Sequence, residues 1–174
     1  WETVTIVDKI FYMELDGLKF LFSPYVYPGR FEEALNTCSK NWKEMDCIFA
    51  HQEFYGCKMG AMISVEGDRW DETYPCIVYG HIHGNKTIKN IYYCGSSMQH
   101  AFGESDRNII PILMFEEGKY TLEEVDLGLP RKKIIYTDIT DMEDFKLKET
   151  ADKVKITVSG NHEEFKAFKK TKKY

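Results

Sequence analysis

Three of the five histidines stand at the ends of short apolar runs, where a chain leaves the protein core. His51 follows the run 47–50, and His81 and His83 follow the run 76–79. Imidazole is a good ligand for zinc, manganese, iron or nickel, so three converging rings could bind metal. A single histidine at a strand end is commonly a hydrogen-bonded loop residue, but three in this arrangement favour a metal site.

The spacing of the second and third histidines supports this hypothesis. His81 and His83 are two residues apart, and Gly80 and Gly84 flank them. In extended backbone, residues two apart point to the same side, so both imidazoles would face one space. Glycine has no Cβ and lets the backbone approach a bound ion closely.

The elements that must position these histidines predict a layered α/β fold. In open α/β sheets, ligands bind at the carboxyl ends of strands, which is where these histidines fall. Asp16-Gly17 lies between the apolar runs 10–15 and 18–23 and predicts a β-hairpin. Apolar residues at helical spacing predict a helix over residues 30–42. Further strands are predicted over residues 3–7, 47–50, 76–79, 91–94, 110–115, 120–125 and 153–159, and a helix from 161 onward.

Composition limits the classes of function. The chain has 174 residues, 43% of them apolar, and a net charge of −5. That charge argues against a broad basic face for DNA, so any such contact would be local, metal-mediated or shared. Five cysteines without a Cys-x-x-Cys pair argue against a disulfide framework or thiolate zinc site and favour a reducing, cytoplasmic (or nuclear) setting. No apolar run reaches the ~20 residues of a membrane span.

The sequence pattern predicts where the chain is cut and where a second domain begins. It opens on Trp1 in a strand-like pattern and stops at Tyr174 in a helix-like one, so we expect both ends to be cut. The basic segment 131–133 predicts a turn, and we place a domain boundary near residue 136.

Two histidine segments resemble a known family. Residues 49–53 (Phe-Ala-His-Gln-Glu) and 79–84 (Tyr-Gly-His-Ile-His-Gly) resemble the last two metal motifs of the calcineurin-like metallophosphoesterases. Residues 93–100 and 102–104 are similar to the loop after the final core strand in SbcD-type nucleases. These are the exonuclease subunits that pair with an SMC-like ATPase in double-strand-break repair and phage replication. The resemblance covers roughly residues 18–130.

The resemblance implies a fold and a set of roles. Residues 1–136 would be the C-terminal half of a four-layer α/β/β/α sandwich, and 137–174 the start of a capping domain that binds DNA ends. His51 and His81 would share one ion, and His83 would hold its neighbour, with His81 and His83 catalytic. The expected cofactors are two divalent metal ions, manganese first, with magnesium, iron or zinc as alternatives. Two ions about 3.5–4 Å apart can clamp a phosphodiester and activate a bridging water.

The resemblance also implies partners. These are DNA, an SMC-like ATPase, a second copy of the intact protein and the N-terminal half of the same domain, without a membrane. The family's upstream Asp-x-His, Gly-Asp and Gly-Asn-His motifs do not occur in residues 1–50. Without a bridging carboxylate, two cations would repel at close range, so the chain as given should be catalytically incomplete.

Residues 160–163 (Gly-Asn-His-Glu) spell one of the missing motifs, but after the histidine motifs rather than before them. We favour a structural interpretation in which Asn161 caps a helix and Glu163 and Glu164 lie in its first turn.

Other residues are lesser candidates for the site. Glu53 and Glu104 could orient a ligand histidine, and Ser96 and His100 could approach substrate, although ordinary surface roles are commoner. Two other functions stay open: a docking module with a degenerate metal site, and a single-zinc hydrolase using the three histidines. Aromatic residues that could stack on bases, although packing is the commoner role, are Tyr25, Tyr27, Trp42, Tyr55 and Trp70.

Overall fold

The computed structural model describes residues 4–60, 62–105, 107–116 and 119–171, which form a mixed α/β fold with several sheets and few helices. Short 3-10 helices accompany the main elements. In chain order the main elements are β1 (Phe11–Leu15), β2 (Leu18–Ser23), α1 (Phe31–Leu35), β3 (Cys47–His51), β4 (Lys58–Met59), β5 (Met62–Ile63), β6 (Cys76–Gly80), β7 (Lys86–Ile88), β8 (Ile91–Tyr93), β9 (Ile110–Glu116), β10 (Lys119–Val125), β11 (Lys132–Asp138), β12 (Lys153–Ser159) and α2 (His162–Phe168).

The chain divides into two compact units. The first contains Trp1–Ser97 and Arg107–Leu127, and the second contains Met98–Asp106 and Gly128–Tyr174. The domain boundary placed near residue 136 stays a prediction.

A six-stranded sheet with the order β1-β2-β3-β6-β8-β7 forms the centre of the first unit. Strands β2, β3, β6 and β8 run parallel, whereas β1 and β7 lie at the edges and run antiparallel to their neighbours. The strands predicted over 47–50, 76–79 and 91–94 are confirmed. Because β3 and β6 are parallel neighbours, their carboxyl ends meet at the same edge of the sheet.

Both faces of the sheet are covered, as the nearly continuous apolar runs of its parallel strands require. One face packs against α1 and the following loops, with Leu21, Ile48, Ile77 and Tyr79 on the sheet side. The other face packs against the antiparallel β9–β10 hairpin, which confirms the strands predicted over 110–115 and 120–125. That second cluster contains Phe20, Cys47, Val78 and Tyr92 of the sheet with Leu113, Phe115 and Tyr120 of the hairpin.

The hairpin predicted at Asp16-Gly17 is confirmed as β1–β2. Asp16 has φ 50° and Gly17 has φ 81°. Two successive positive φ values match the twist of the flanking strands, and aspartate and glycine accept them at low cost.

The helix predicted over residues 30–42 is too long. Only Phe31–Leu35 is helical, followed by turns and a 3-10 helix that begins at Trp42. The Thr37 hydroxyl donates to a carbonyl oxygen in the last helical turn (2.7 Å), and the indole of Trp42 donates to Asn36 Oδ1 (2.8 Å). The Thr37 hydroxyl thus bonds to the backbone where the helix ends, and Phe31, Leu35 and Trp42 are buried all the same.

The strand predicted over residues 3–7 is wrong for residues 4–7, and residue 3 lies outside the described part of the chain. Val4 and Ile6 are exposed, and residues 4–7 are not assigned to a strand. Alternation of apolar residues does not make a strand unless a neighbour accepts its hydrogen bonds.

The second unit contains the parallel pair β11–β12 and the helix α2. The strand predicted over 153–159 is confirmed, but the turn predicted at 131–133 is wrong, because Lys132 begins β11. The side-chain oxygen of Gln99 accepts a hydrogen bond from Lys132 N (2.6 Å), so a side chain satisfies the first N–H group of β11. Within the part of the chain that the structure describes, no helix is long and apolar enough to cross a membrane.

Candidate functional site

The candidate site lies where β3 and β6 end side by side. Their parallel register places His51 opposite Gly80. A Cβ at Gly80 would lie 3.3 Å from His51 Nδ1, so the missing side chain leaves room for the imidazole. The chain then turns sharply and places His81 next to the same ring.

His51 and His81 form the closest contact among the predicted ligands. His81 Nδ1 lies 3.1 Å from His51 Nε2, with ring planes at 78° and both side chains exposed. Two neutral imidazoles at this distance either share an N–H···N hydrogen bond or present two nitrogens to one ion. Nitrogens that are each about 2.1 Å from one ion lie roughly 3.0–3.4 Å apart at ligand angles of about 90–110°. The observed separation fits two ligands of a single ion.

The pair does not by itself complete a metal site. Among residues 4–60, 62–105, 107–116 and 119–171, no group of three or more His, Cys, Asp or Glu side chains is arranged to hold a metal ion. Protein metal centres of the catalytic kind commonly use three or more protein ligands. His51 and His81 are therefore suited to part of a metal site, and the three-histidine ligand set stays a prediction.

His81 adopts a backbone conformation that is unusual for its residue type. Its φ is 96°, in a region where side chains other than glycine are strained. Such conformations cost about 1–3 kcal/mol and persist where the surrounding structure imposes them, often at functional sites. Here the strained turn is what brings the His81 ring back towards His51.

His83 is held through its backbone. Its carbonyl oxygen accepts a hydrogen bond from Ser96 N (3.2 Å), and its side chain is exposed. The side-chain amide of Asn108 donates to the carbonyl oxygen of Ser96 (3.1 Å). The structure thus joins two predicted site residues, His83 and Ser96, through the main chain, so Ser96 supports the histidine turn.

The turn is further fixed by Asn85 and Gly95. The Asn85 amide donates to the hydroxyl of Tyr92 (2.9 Å) and to the carbonyl oxygen of Tyr93 (3.2 Å). Gly95 has φ 73°, and a Cβ there would lie 2.8 Å from Asn85 N. Only glycine allows the two loops to approach this closely, so the segment that carries the histidines packs directly against Gly95.

The surroundings of His51 favour the form of its ring that binds metal. Partial burial, and to a lesser degree the charge of a protonated His81, lower the pKa of His51 below its usual value. Neutral imidazole is the form that coordinates a metal ion.

Tyr25 and Gln52 complete the surroundings of the pair. The Tyr25 ring centroid lies 6.4 Å from that of His51 and 6.2 Å from that of His81. Gln52 is fully buried, and its side-chain oxygen accepts a hydrogen bond from Val26 N (3.1 Å). The sequence alone did not indicate the role of Gln52, because its contacts span 26 residues and leave no local pattern.

No family model matches the chain. Two viral proteins are similar to it. "Putative phosphoesterase 244L" of Invertebrate iridescent virus 6 is 44% identical over 179 residues, covering 99% of this chain and 64% of that protein. "Putative phosphoesterase 078R" of Invertebrate iridescent virus 3 is 43% identical over 180 residues, covering 100% of this chain and 52% of that protein. The chain thus spans between half and two thirds of the length of these relatives.

Glu53 follows the pair in sequence, and its carboxylate accepts a hydrogen bond from the Ser64 hydroxyl. Its main-chain oxygen accepts another from Asp68 N (2.9 Å). These contacts tie the loop after β3 together, and the role of Glu53 in orienting a histidine stays a prediction.

His100 and Glu104 belong to the second unit. The Glu104 carboxylate accepts hydrogen bonds from the backbone N–H groups of His100 (2.6 Å) and Ala101 (3.0 Å). The Lys132 ammonium donates to the His100 carbonyl oxygen. The described contacts of both residues stabilise the loop beside β11. The approach of His100 to substrate and the role of Glu104 in orienting a histidine stay predictions.

Proposed function

We propose that the chain is part of a metal-dependent phosphoesterase in which His51 and His81 are ligands to one ion. The observation that carries the proposal is the 3.1 Å contact between their nitrogens at the ends of two parallel strands. The names of the two viral relatives, both phosphoesterases, supply the reaction class.

The chain's own residues would bind and position. His51 and His81 would coordinate as neutral imidazoles, and His83 would hold a second ion, as the resemblance implies. A divalent ion held there would supply positive charge to a phosphate oxygen and lower the pKa of a bound water. The rigid strand ends and the Asn85–Gly95 contact would keep the ligands in place, which is what a preorganised site requires.

The remaining ligands would be carboxylates from protein outside these 174 residues. The outward row of β9, formed by Ile110, Ile112 and Met114, is 41–51% exposed. An apolar row on a two-stranded hairpin is suited to being covered by further strands of the same domain. This supports a four-layer sandwich whose other half carries the acidic ligands, and a chain that is inactive alone.

The finer proposal concerns the substrate. We infer a manganese-dependent phosphodiesterase that cuts DNA ends as a homodimer with an SMC-like ATPase, since residues 49–53 and 79–84 resemble SbcD-type nucleases. With a net charge of −5, this chain would add little general attraction for DNA. Recognition would then depend on the metal site and the partner.

Hydrolysis by the protein expressed with its flanking sequence tests the proposal. With Mn²⁺, we expect nucleotide release from linear DNA, and His81→Ala should lower kcat by at least about 100-fold. The matched control is His162→Ala, because His162 is an exposed histidine of α2, and its kcat should equal that of the wild-type protein. Hydrolysis of p-nitrophenyl phosphate but not DNA would support a phosphomonoesterase instead. Full activity in His81→Ala would contradict the proposal.

The alternative function is a docking module with a degenerate metal site. It predicts that the flanking sequence adds no hydrolysis of either substrate.

A further inference from the structure

Tyr25 lies against both candidate ligands, yet the proposed reaction assigns its ring no role. Its centroid lies 6.4 Å from the His51 ring and 6.2 Å from the His81 ring. The side chain is 52% exposed, so about half of its surface remains available to another molecule.

The loop that carries Tyr25 is held by a buried polar connection. Gln52 accepts a hydrogen bond from Val26 N (3.1 Å), and its amide donates to Asp68 Oδ2 (2.6 Å). The other carboxylate oxygen of Asp68 accepts from Phe31 N (3.2 Å). Both ends of the segment 26–31 are therefore tied to residues that lie between β3 and β6 in the chain.

The same connection links Tyr25 to His51. Gln52 directly follows His51 in the chain, while its side chain holds the residue directly after Tyr25. The backbone beside Tyr25 is therefore tied to the backbone beside His51. An aromatic side chain has only two χ angles, so its ring loses little conformational entropy when it binds a ligand.

We infer that Tyr25 is a substrate-binding residue that stacks on a nucleobase while the attached phosphate lies at the His51–His81 pair. The inference rests on the proposed function and deepens it by naming the residue that would contact a base of the substrate. A phosphate and its nearest base are joined through one sugar. A ring beside the metal-binding nitrogens, whose ion would hold the phosphate, is therefore where that base would lie.

A role for Tyr25 in shielding the histidines alone would give a different result. Shielding would affect all phosphate ligands equally, whereas stacking benefits those that carry a base. Stacking on an aromatic side chain tolerates every base, because each has a π-face. The difference between ligands with and without bases therefore separates the two roles.

The test uses the protein expressed with its flanking sequence, Mn²⁺ and two labelled phosphorothioate oligonucleotides of equal length and charge, whose linkages resist hydrolysis. One carries thymine at every position, and the other carries abasic tetrahydrofuran units. Fluorescence anisotropy should show that the chain binds the thymine ligand about tenfold more tightly, within the range of about 5- to 150-fold that one stacked base contributes. Tyr25→Phe should keep this preference, and Tyr25→Leu should lose it without changing abasic binding.

Tyr27→Leu is the matched control, since Tyr27 is 73% exposed and two residues away. An unchanged preference in Tyr27→Leu, with the loss in Tyr25→Leu, supports the inference. If Tyr25→Leu weakens the binding of both ligands equally, the inference is overturned, because Tyr25 would then only support the histidine pair.

Mn²⁺ binding without any preference for thymine in the wild-type protein also overturns the inference but leaves the phosphoesterase proposal standing. Failure to bind Mn²⁺ at all overturns both. Unchanged circular dichroism and Mn²⁺ affinity in each variant show that the fold is intact.

Discussion

Two segments of this chain pair glycine with histidine, and the structure uses them differently. In residues 80–84, His81 has φ 96° and its ring lies 3.1 Å from that of His51. In residues 160–163, Asn161 is the N-cap residue of α2 and forms a capping box with Glu164. The predicted cap is confirmed, with Asn161 Oδ1 accepting from Glu164 N at 3.0 Å.

The difference comes from what lies beside each segment. The first follows a strand whose parallel neighbour also ends in histidine, so two imidazoles meet at one sheet edge. The second begins a helix whose first N–H groups need acceptors, and Asn161 supplies one. Similar residues therefore position two imidazoles in residues 80–84 and stabilise a helix in residues 160–163.

The distinction between the two segments would be wrong if both of them bound metal. We expect His81→Ala to weaken Mn²⁺ binding by more than about 100-fold, because losing even an outer-shell partner of a ligand costs about 10- to 100-fold. His162→Ala should leave the affinity unchanged. Isothermal titration calorimetry measures both, and equal weakening by the two variants would remove the distinction.

The rigidity of the first segment can be tested at Gly95. Gly95→Ala places a Cβ 2.8 Å from Asn85 N at φ 73°. We expect the free energy of unfolding to fall by about 2–4 kcal/mol, from strain at positive φ and from overpacking. Gly84→Ala is the matched control, because a Cβ there meets no atom within 4 Å. Urea unfolding should show a change within about 0.5 kcal/mol for the control. Similar values for both would mean that the close approach is unimportant.

The second segment should respond only in stability. Asn161→Ala removes the capping box and should lower the free energy of unfolding by about 1 kcal/mol. Thermal or urea unfolding measures this, with His162→Ala as a neighbour expected to change it by less than about 0.5 kcal/mol. If Asn161→Ala instead altered Mn²⁺ affinity, the interpretation of this segment as a cap would be wrong.

The smallest expected effect has the opposite sign. His81→Gly should raise the free energy of unfolding by about 0.5–1 kcal/mol in metal-free buffer, because glycine accepts φ 96° without strain. His83→Gly, where φ is not positive, should lower it by about 0.4–1 kcal/mol through added freedom in the unfolded chain. A loss of stability in both variants would show that His81 is not strained.

Local patterns predicted much of the fold. Asp16-Gly17 predicts its hairpin because turn chemistry acts between adjacent residues. The apolar runs before His51 and His81 predict β3 and β6 because buried parallel strands are apolar on both faces. The strand β11 was missed because it begins at the basic residue Lys132, which the sequence analysis assigned to a turn. The backbone hydrogen bonds that make it a strand leave no mark on the pattern of side chains.

The candidate site was predicted only in part, for a related reason. Strand ends indicated His51 and His81, since parallel neighbours bring their carboxyl ends together. The positive φ of His81 and the bond between Gln52 and Val26 depend on contacts between distant segments. Nor do strand ends specify how the His83 side chain is directed, because that depends on the loop around Gly95.

The central claim is that the imidazoles of His51 and His81 bind the same ion. Electron–nuclear double resonance counts the imidazole nitrogens coupled to one manganese, and it would use the protein expressed with its flanking sequence, labelled with ¹⁵N-histidine and loaded with one equivalent of Mn²⁺. We predict coupling to two histidines in the wild-type chain, to one in either His51→Ala or His81→Ala, and to two in His162→Ala. Manganese without histidine coupling, or coupling unchanged in His51→Ala and His81→Ala, would contradict the claim.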